Sequence, residues 1–283
     1  TLAEESLMKI SRAAANYDNA SGARLVGINM EGPFVSEKKK GAQNGLYIRK
    51  PDADMFRRLQ KEADGLYKLI ALAPEEEGAM EFIDELKEEA VISLAHTTAD
   101  YETSMEAFRR GASHVTHLFN AMPPFSHREP GVTGAAFDTP DCDVELITDG
   151  IHICPTMVRA VFRLFGDDRV ILISDSMMAT GLTDGDYSLG GQPVKVKGNL
   201  ATLADGTIAG SATNLMDCLR TAVKKMGIPL ESAVKCAAVN SARSIGIDDR
   251  YGSLEPGKIA NIVLLDEELG LQAVIYEGKV QNL

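Results

Sequence analysis

The sequence predicts an α/β fold: a (β/α)8 TIM-type barrel with a small β-sandwich as second domain. Three observations point there. Strand-like and helix-like segments alternate six times between residues 25 and 175. The strand-like segments are short, nearly continuous apolar runs, as parallel strands covered by helices require. Four of those runs carry a metal- or proton-handling side chain where they stop: Glu31 after LVGINM, His96 after AVISLA, His117 in HVTHLF and Asp175 after RVILIS. Such a residue sits at the C-terminal end of its strand, the rim on which barrel active sites are built. An open flavodoxin-like sheet also fits the alternation, but it would gather these residues near one switch point rather than spread them over successive strands.

The elements follow in order. LAEESLMKISRAAANY, directly after Thr1, has a helical pattern, and residues 25–30 read as a buried strand. A loop rich in Lys and Gly (37–45) leads to a helix over 51–63, with Pro51 suited to its first turn. Residues 66–74 read as strand, 78–89 as helix, 90–96 as strand, and 100–111 as a helix stopped by Gly111. Residues 114–119 and 143–150 read as strands, and 155–166 as a helix with Pro first and Gly last, ahead of the strand at 169–175. The pattern then changes. Residues 188–210 read as short antiparallel strands with turns at Gly190-Gly191, Gly198-Asn199 and Asp205-Gly206, followed by helices over 213–226 and 230–244. The tail (252–281) reads as strands outside the barrel. A closed barrel needs eight strands and six are counted, so the expectation is an N-terminally truncated barrel over 1–252, with 253–283 as the C-terminal strands of the sandwich domain.

Composition narrows the function. The 283 residues, 45% hydrophobic and 25% charged, suffice for one large barrel. A net charge of −12 repels phosphate backbones and excludes general nucleic-acid binding. No apolar run approaches the roughly 18–20 residues that span a bilayer. Cys142, Cys154, Cys218 and Cys236 lie far apart with no C-x-x-C pair, which fits reduced thiols in a cytoplasmic protein and argues against a structural zinc cluster.

All five histidines (His96, His114, His117, His127 and His152) fall between residues 96 and 152. Imidazole is the commonest transition-metal ligand, and carboxylates complete hydrolytic zinc-type sites. His96, His117 and Glu31 come from three strands, so their side chains can converge on one ion with a position open for water. His114 and His117 lie three apart, which along a strand points them to opposite faces; His117 is taken as the ligand and His114 as structural. Asp175 is placed to accept a proton from an activated water and return it to a leaving group. Arg128, on a Pro-rich loop, offers a forked cation for phosphate or carboxylate. Asn120, the Ala121 backbone and His152 are candidate ligand contacts. GSATN (210–214) opens a helix, either as an anion site or with Ser211 or Thr213 as an ordinary N-cap. Lys38–Lys40 reads as a solvated loop.

INMEGPF (28–34), KKGAQN (39–44), APEEEG (73–78), SLAHTTADYE (93–102), THLFNAMPP (116–124), TDGIH (148–152), ISDSM (173–177) and TIAGSA (207–212) together resemble the N-acetylglucosamine-6-phosphate deacetylases, a branch of the amidohydrolase superfamily. The tail GSLEPGKIANIVLLD is similar to that superfamily's β-sandwich domain. The resemblance implies a divalent metal, zinc or iron, as one or two ions on Glu31, His96 and His117, with Asp175 as general base and acid. It implies sugar-phosphate contacts from Asn120, Ala121, Arg128, His152 and the Ile208, Ala209, Gly210, Ser211 segment. Ala42 and Gln43 match a further substrate-facing loop, where some members carry a histidine; Gln43 can donate a hydrogen bond but carries no charge. A homodimer with Arg128 reaching across the interface is also implied. Many members carry a His-x-His on the first barrel strand, which this sequence lacks. Two other readings stay open: another amidohydrolase of the dihydroorotase or N-acyl-amino-acid type, against which the absence of a strand-end lysine counts, and a non-catalytic sugar-phosphate-binding protein.

Overall fold

The computed structural model describes residues 2–20 and 22–282. Six strands, β1 (Ile28–Glu31), β2 (Tyr67–Leu72), β3 (Val91–Leu94), β4 (His114–Val115), β5 (Asp143–Ile147) and β6 (Val170–Ile173), form one sheet in the order β1-β2-β3-β4-β5-β6. Every neighbouring pair is parallel. Sequential order leaves no switch point, which separates this curled, barrel-type sheet from a doubly wound one.

Helices α1 (Glu4–Ala15), α2 (Ala53–Glu62), α3 (Ala79–Leu86), α4 (Tyr101–Arg110), α5 (Gly131–Phe137) and α6 (Pro155–Phe165) accompany the strands. Three of them, α2, α4 and α6, have clear local signals at their ends. Asp52 and Asp100 cap α2 and α4 by accepting from the backbone N–H of Met55 and Thr103, each cap being worth about 1 kcal/mol. Pro51 therefore lies ahead of the cap, not inside the first turn. Pro155 opens α6, and Gly111 and Gly166 close α4 and α6 at positive φ. Apolar faces meet between layers. Phe56 of α2 packs edge-on against Tyr67 of β2, with centroids 6.1 Å apart. Phe34, after β1, meets Phe82 of α3 at 5.1 Å. All four rings are buried, each contributing roughly 1.5–3 kcal/mol.

Beyond β6, the strands β7 (Gly185–Leu189), β8 (Gln192–Lys197), β9 (Leu200–Thr202) and β10 (Ile208–Ser211) form an antiparallel sheet turning at the expected Gly-containing positions. Met177, Ala179, Val194, Val196, Ala201 and Ala209 make its own small core. Helix α7 (Leu215–Lys224) is capped by Asn214, not by Ser211 or Thr213. The segment read as one helix over 230–244 is α8 (Leu230–Val234), a π-helical turn (Lys235–Val239) and α9 (Asn240–Ser244). Strands β11 (Ile262–Leu265), β12 (Leu271–Tyr276) and β13 (Lys279–Gln281) form a separate antiparallel sheet.

Candidate metal centre and active site

The four strand ends do converge, through backbone the sequence did not reveal. Glu31 is the last residue of β1, while His96 and Asp175 lie two residues beyond their strands. His96, His117 and Asp175 have φ of 45°, 35° and 49°. A left-handed conformation at three non-glycine residues is strained, and such strain concentrates at functional sites. It turns each side chain off the strand line toward a common point. The strand expected over 114–119 ends at Val115, and a turn with positive φ at His117, Phe119 and Ala121 follows. Alternation along a strand thus does not govern His117. Both His114 and His117 are buried.

The metal-ligand geometry is specific. Glu31 Oε1 lies 2.8 Å from His96 Nε2 and 3.4 Å from His117 Nε2. The two Nε2 atoms are 3.1 Å apart. Ligands about 2.0–2.1 Å from a tetrahedral ion lie about 3.3 Å from one another, so this donor set fits one cation. Among the described residues it is the one His/Cys/Asp/Glu group that meets this spacing. His96 Nδ1 donates to the Lys39 carbonyl at 2.8 Å, which fixes the tautomer and leaves Nε2 free to ligate. His117 Nδ1 is buried with no hydrogen-bond partner, so Nε2 is the nitrogen through which this ring engages the site. The loop after His96 is anchored by Glu75, whose carboxylate accepts from Thr97, the Thr98 backbone and the Thr98 hydroxyl.

The electrostatics follow from proximity. Burial works against the Glu31 carboxylate, yet His117 and His96 outweigh it and hold its pKa well below the usual range. Burial also works against a charged His117, and Glu31 outweighs it, pushing that pKa up to about 9. Asp175 is raised to about 6, by burial first and the Glu31 charge second, partly offset by His117 and His152. Glu145 of β5, beneath the rim, is raised to about 8 by burial; its carboxylate accepts from the His117 backbone N–H at 3.3 Å.

A cavity of about 790 Å³ opens over this cluster. It is lined by Glu31, His96, His117 and Asp175, and by Ala42, Gln43, Asn120, Ala121, His152, Ile208 and Gly210. Ala209 and Ser211 alternate with the lining residues of β10 and are buried in the sheet. Ser211 instead ties β10 to the end of β6: its N–H donates to the Asp175 carbonyl at 2.7 Å, and its carbonyl accepts from the Met177 N–H at 2.8 Å. Gly210 has φ +61°, and a Cβ there would stand 3.0 Å from the Asp175 carbonyl oxygen, so the approach requires glycine. Arg128 is exposed and does not line the cavity. Lys38 and Lys39 do line it, and the Lys39 ammonium donates to the Met122 carbonyl at 3.2 Å; this loop is part of the site rather than merely solvated. Glu75, Glu145 and Asp149 escaped the sequence reading because what marks them is a partner distant in the chain or in a turn: Thr97 and Thr98, the His117 backbone, and His152.

A carboxylate–histidine set that could hold a metal, on the C-terminal rim of a parallel sheet, fits the frame of a hydrolase, and the amidohydrolase family pattern matches residues 5–282. The chain belongs to the amidohydrolase family. It is 43% identical over 268 residues to an N-acetylglucosamine-6-phosphate deacetylase of Bacillus subtilis, covering 94% of this chain and 68% of that one. It is 34% identical over 262 residues to an N-acetylgalactosamine-6-phosphate deacetylase of Escherichia coli O157:H7, covering 92% and 69%. A variant of the Mycobacterium smegmatis N-acetyl-D-glucosamine-6-phosphate deacetylase, solved in complex with N-acetyl-D-glucosamine-6-phosphate, superposes with a TM-score of 0.93 at 35% identity, covering 99% of this chain and 74% of that one. Among the described residues, no helix of this amidohydrolase is long and apolar enough to cross a membrane.

Proposed function

We propose that the chain hydrolyses the acetamide of N-acetylglucosamine 6-phosphate to glucosamine 6-phosphate and acetate, as a metal-dependent step of amino-sugar catabolism in the cytoplasm. The observation that carries this reading is the convergence of Glu31, His96 and His117 beside Asp175 in a chain 43% identical to a deacetylase of that name. Glu31, His96 and His117 would hold a divalent ion, zinc or iron, and Asp175 stands apart as the proton carrier. When bound, such an ion polarises the amide carbonyl and lowers the pKa of a water to about 7. Asp175 accepts the proton of the attacking water as its oxygen bonds to the acetyl carbon. The same carboxyl then protonates the sugar nitrogen as the C–N bond breaks. A carboxyl raised to about 6 suits both directions near neutral pH.

Asn120, Ala121, His152, Ile208 and Gly210, around the cavity, are the proposed sugar-phosphate contacts, with Ala42 and Gln43 facing the acetamido end. Arg128, exposed and outside the cavity of its own chain, is proposed to serve the site of a second copy in a homodimer. Mixing Arg128→Ala with Asp175→Asn should restore activity if it does, and leave both silent if it does not. The six parallel strands are read as part of a (β/α)8 barrel over 1–252, and 253–283 as sandwich strands.

The test is acetate release by the metal-loaded protein from the 6-phosphates of N-acetylglucosamine and N-acetylgalactosamine, and from free N-acetylglucosamine. The gluco phosphate is expected to have the highest kcat/KM. Preference for the free sugar would overturn the substrate, and the absence of acetate from all three would overturn the activity.

A further inference from the structure

The proposed ligands Glu31, His96 and His117 follow from β1, β3 and β4, and β2, which lies between β1 and β3, supplies none. What the loop after β2 supplies is Glu75, a residue outside both the ligand group and the cavity lining. Its carboxylate reaches the segment that follows His96. Oε2 accepts from the Thr97 hydroxyl, and Oε1 accepts from the Thr98 N–H and, at 2.9 Å, from the Thr98 hydroxyl. Thr97 is fully buried. Its hydroxyl also accepts from the Ala99 N–H at 2.8 Å. Three donors from two consecutive residues thus fasten that pair to one carboxylate.

The backbone so fastened is the exit of a strained turn. His96 has φ of 45°, where a side chain crowds the backbone and the conformation persists only when the surroundings impose it. Before His96, the sheet imposes it: the Ala95 N–H donates to the Leu72 carbonyl at 3.0 Å. At the turn itself, the His96 carbonyl accepts from the Ser36 N–H at 2.9 Å, and the Thr97 N–H donates to the Ala121 carbonyl at 3.0 Å. After it, the side chains of Thr97 and Thr98 are held by Glu75. The direction in which the chain leaves His96 fixes where its Cβ points, and hence where Nε2 lies relative to Glu31 and His117.

We infer that Glu75 is a positioning residue for the metal ligand His96. It touches neither ion nor substrate. It holds the left-handed turn that aims Nε2 at the other two donors, and without it His96 relaxes toward an ordinary conformation and the three donor atoms no longer share one centre. This rests on the metal-centre reading above and adds to it a carboxylate that acts through the backbone.

The test is the metal affinity of the full chain, loaded with cobalt(II) and competed with a chelator, which needs no turnover. Glu75→Ala should raise the cobalt dissociation constant at least about tenfold and alter the visible cobalt spectrum, which reports ligand geometry. Thr98→Ala removes one of the three donors and leaves the carboxylate in place, so it keeps the idea testable if Glu75→Ala fails to fold. It should raise the constant about threefold, the worth of one ordinary hydrogen bond. The two changes together should lose no more than Glu75→Ala alone. As a control for general destabilisation, Asp52→Ala removes only the α2 cap; it should lower stability to denaturant and leave the constant within about twofold. A wild-type constant and spectrum in Glu75→Ala, or, should that variant not fold, a wild-type constant in Thr98→Ala, would overturn the role. So would additive losses, or a change in Asp52→Ala as large as in Glu75→Ala. His96→Asn separates this from the reading beneath it. A loss of at least about 100-fold there, with Glu75→Ala unaffected, would overturn the role of Glu75 alone. Wild-type affinity in His96→Asn would overturn the metal centre and the role with it.

Discussion

His117 and His114 sit three residues apart on one segment, both buried, and the fold treats them in opposite ways. His117, on the rim, faces the Glu31 carboxylate, and its pKa is pushed up to about 9. His114, one layer below, donates to or accepts from the Ser93 hydroxyl at 2.9 Å, and that hydroxyl also meets Thr116 at 2.7 Å. Its nearest carboxylate, Glu145, stands 3.7 Å away. Burial alone then governs the ring, and its pKa falls to about 3. The lesson is that depth does not set the charge of a histidine here. A carboxylate within hydrogen-bond reach reverses the sign of the shift, and the upper layer is built for a cation while the lower layer is built to stay neutral.

The largest break of that contrast is at the proposed proton carrier. Asp175→Asn should lower kcat by about 10²–10⁴-fold while bound metal, counted by elemental analysis, stays at its wild-type level. Turnover near the wild-type rate would remove Asp175 from the scheme. Next is ligand loss: His117→Ala should weaken metal binding by at least about 100-fold, whereas His114→Asn should leave metal content unchanged. If the two variants lose metal equally, the layers are not functionally distinct.

Two pH experiments sharpen the comparison. A ring with a pKa of about 9 is protonated at neutral pH and must lose that proton to ligate, so metal binding at pH 7 should release protons and tighten as pH rises. Calorimetry in buffers of different ionisation enthalpy reads the release. For His114 the sign is opposite in origin: the folded pKa of about 3 lies below the unfolded value near 6.5. Its contribution to stability is intact above pH 6.5 and is lost as pH falls toward 3, at up to about 1.4 kcal/mol per pH unit. His114→Asn should flatten that part of the stability curve measured by denaturant unfolding. An unchanged slope would show that His114 is not the group responsible. The smallest effect expected is for Ser93→Ala, a loss of about 1–3 kcal/mol in unfolding free energy with metal content intact.

Much of this was legible in the sequence. Branched apolar runs located all six parallel strands, and the polar residue near the end of each run located Glu31, His96, His117 and Asp175. Glycine-containing turns placed the antiparallel excursion. What escaped depends on three-dimensional partners. Helix α5, GVTGAAF, is buried along nearly its whole length, so it shows no amphipathic period and its two glycines argue against a helix. The positive φ at His96, His117 and Asp175 is not marked by glycine; histidine and aspartate adopt it more often than most residues, but too seldom for the sequence to place it. Glu145 and Asp149 lie in DVELITDG and read as a strand end, yet one sits beneath the candidate metal centre and the other against His152. Arg128 was legible as a cation, and the resemblance implied a role across an interface; its exposed place outside its own cavity agrees with that expectation without testing it.

The seam between β10 and Asp175 has a consequence for altering this enzyme. The hairpin tips at 190–191 and 198–199 are glycine turns, and an added Cβ at Gly191 or Gly198 meets nothing within 4 Å. Those tips tolerate exchange only for turns that keep the positive φ of Gly190, Gly191 and Gly198. Residues 208–211 do not, because the Ser211 backbone hydrogen bonds and the Gly210 approach join them to the backbone that carries Asp175, the proposed proton carrier. The antiparallel excursion is thus a module with one welded edge: its outer turns can be grafted to change what enters the cavity, while its last strand must be carried over intact for the acid to stay aimed.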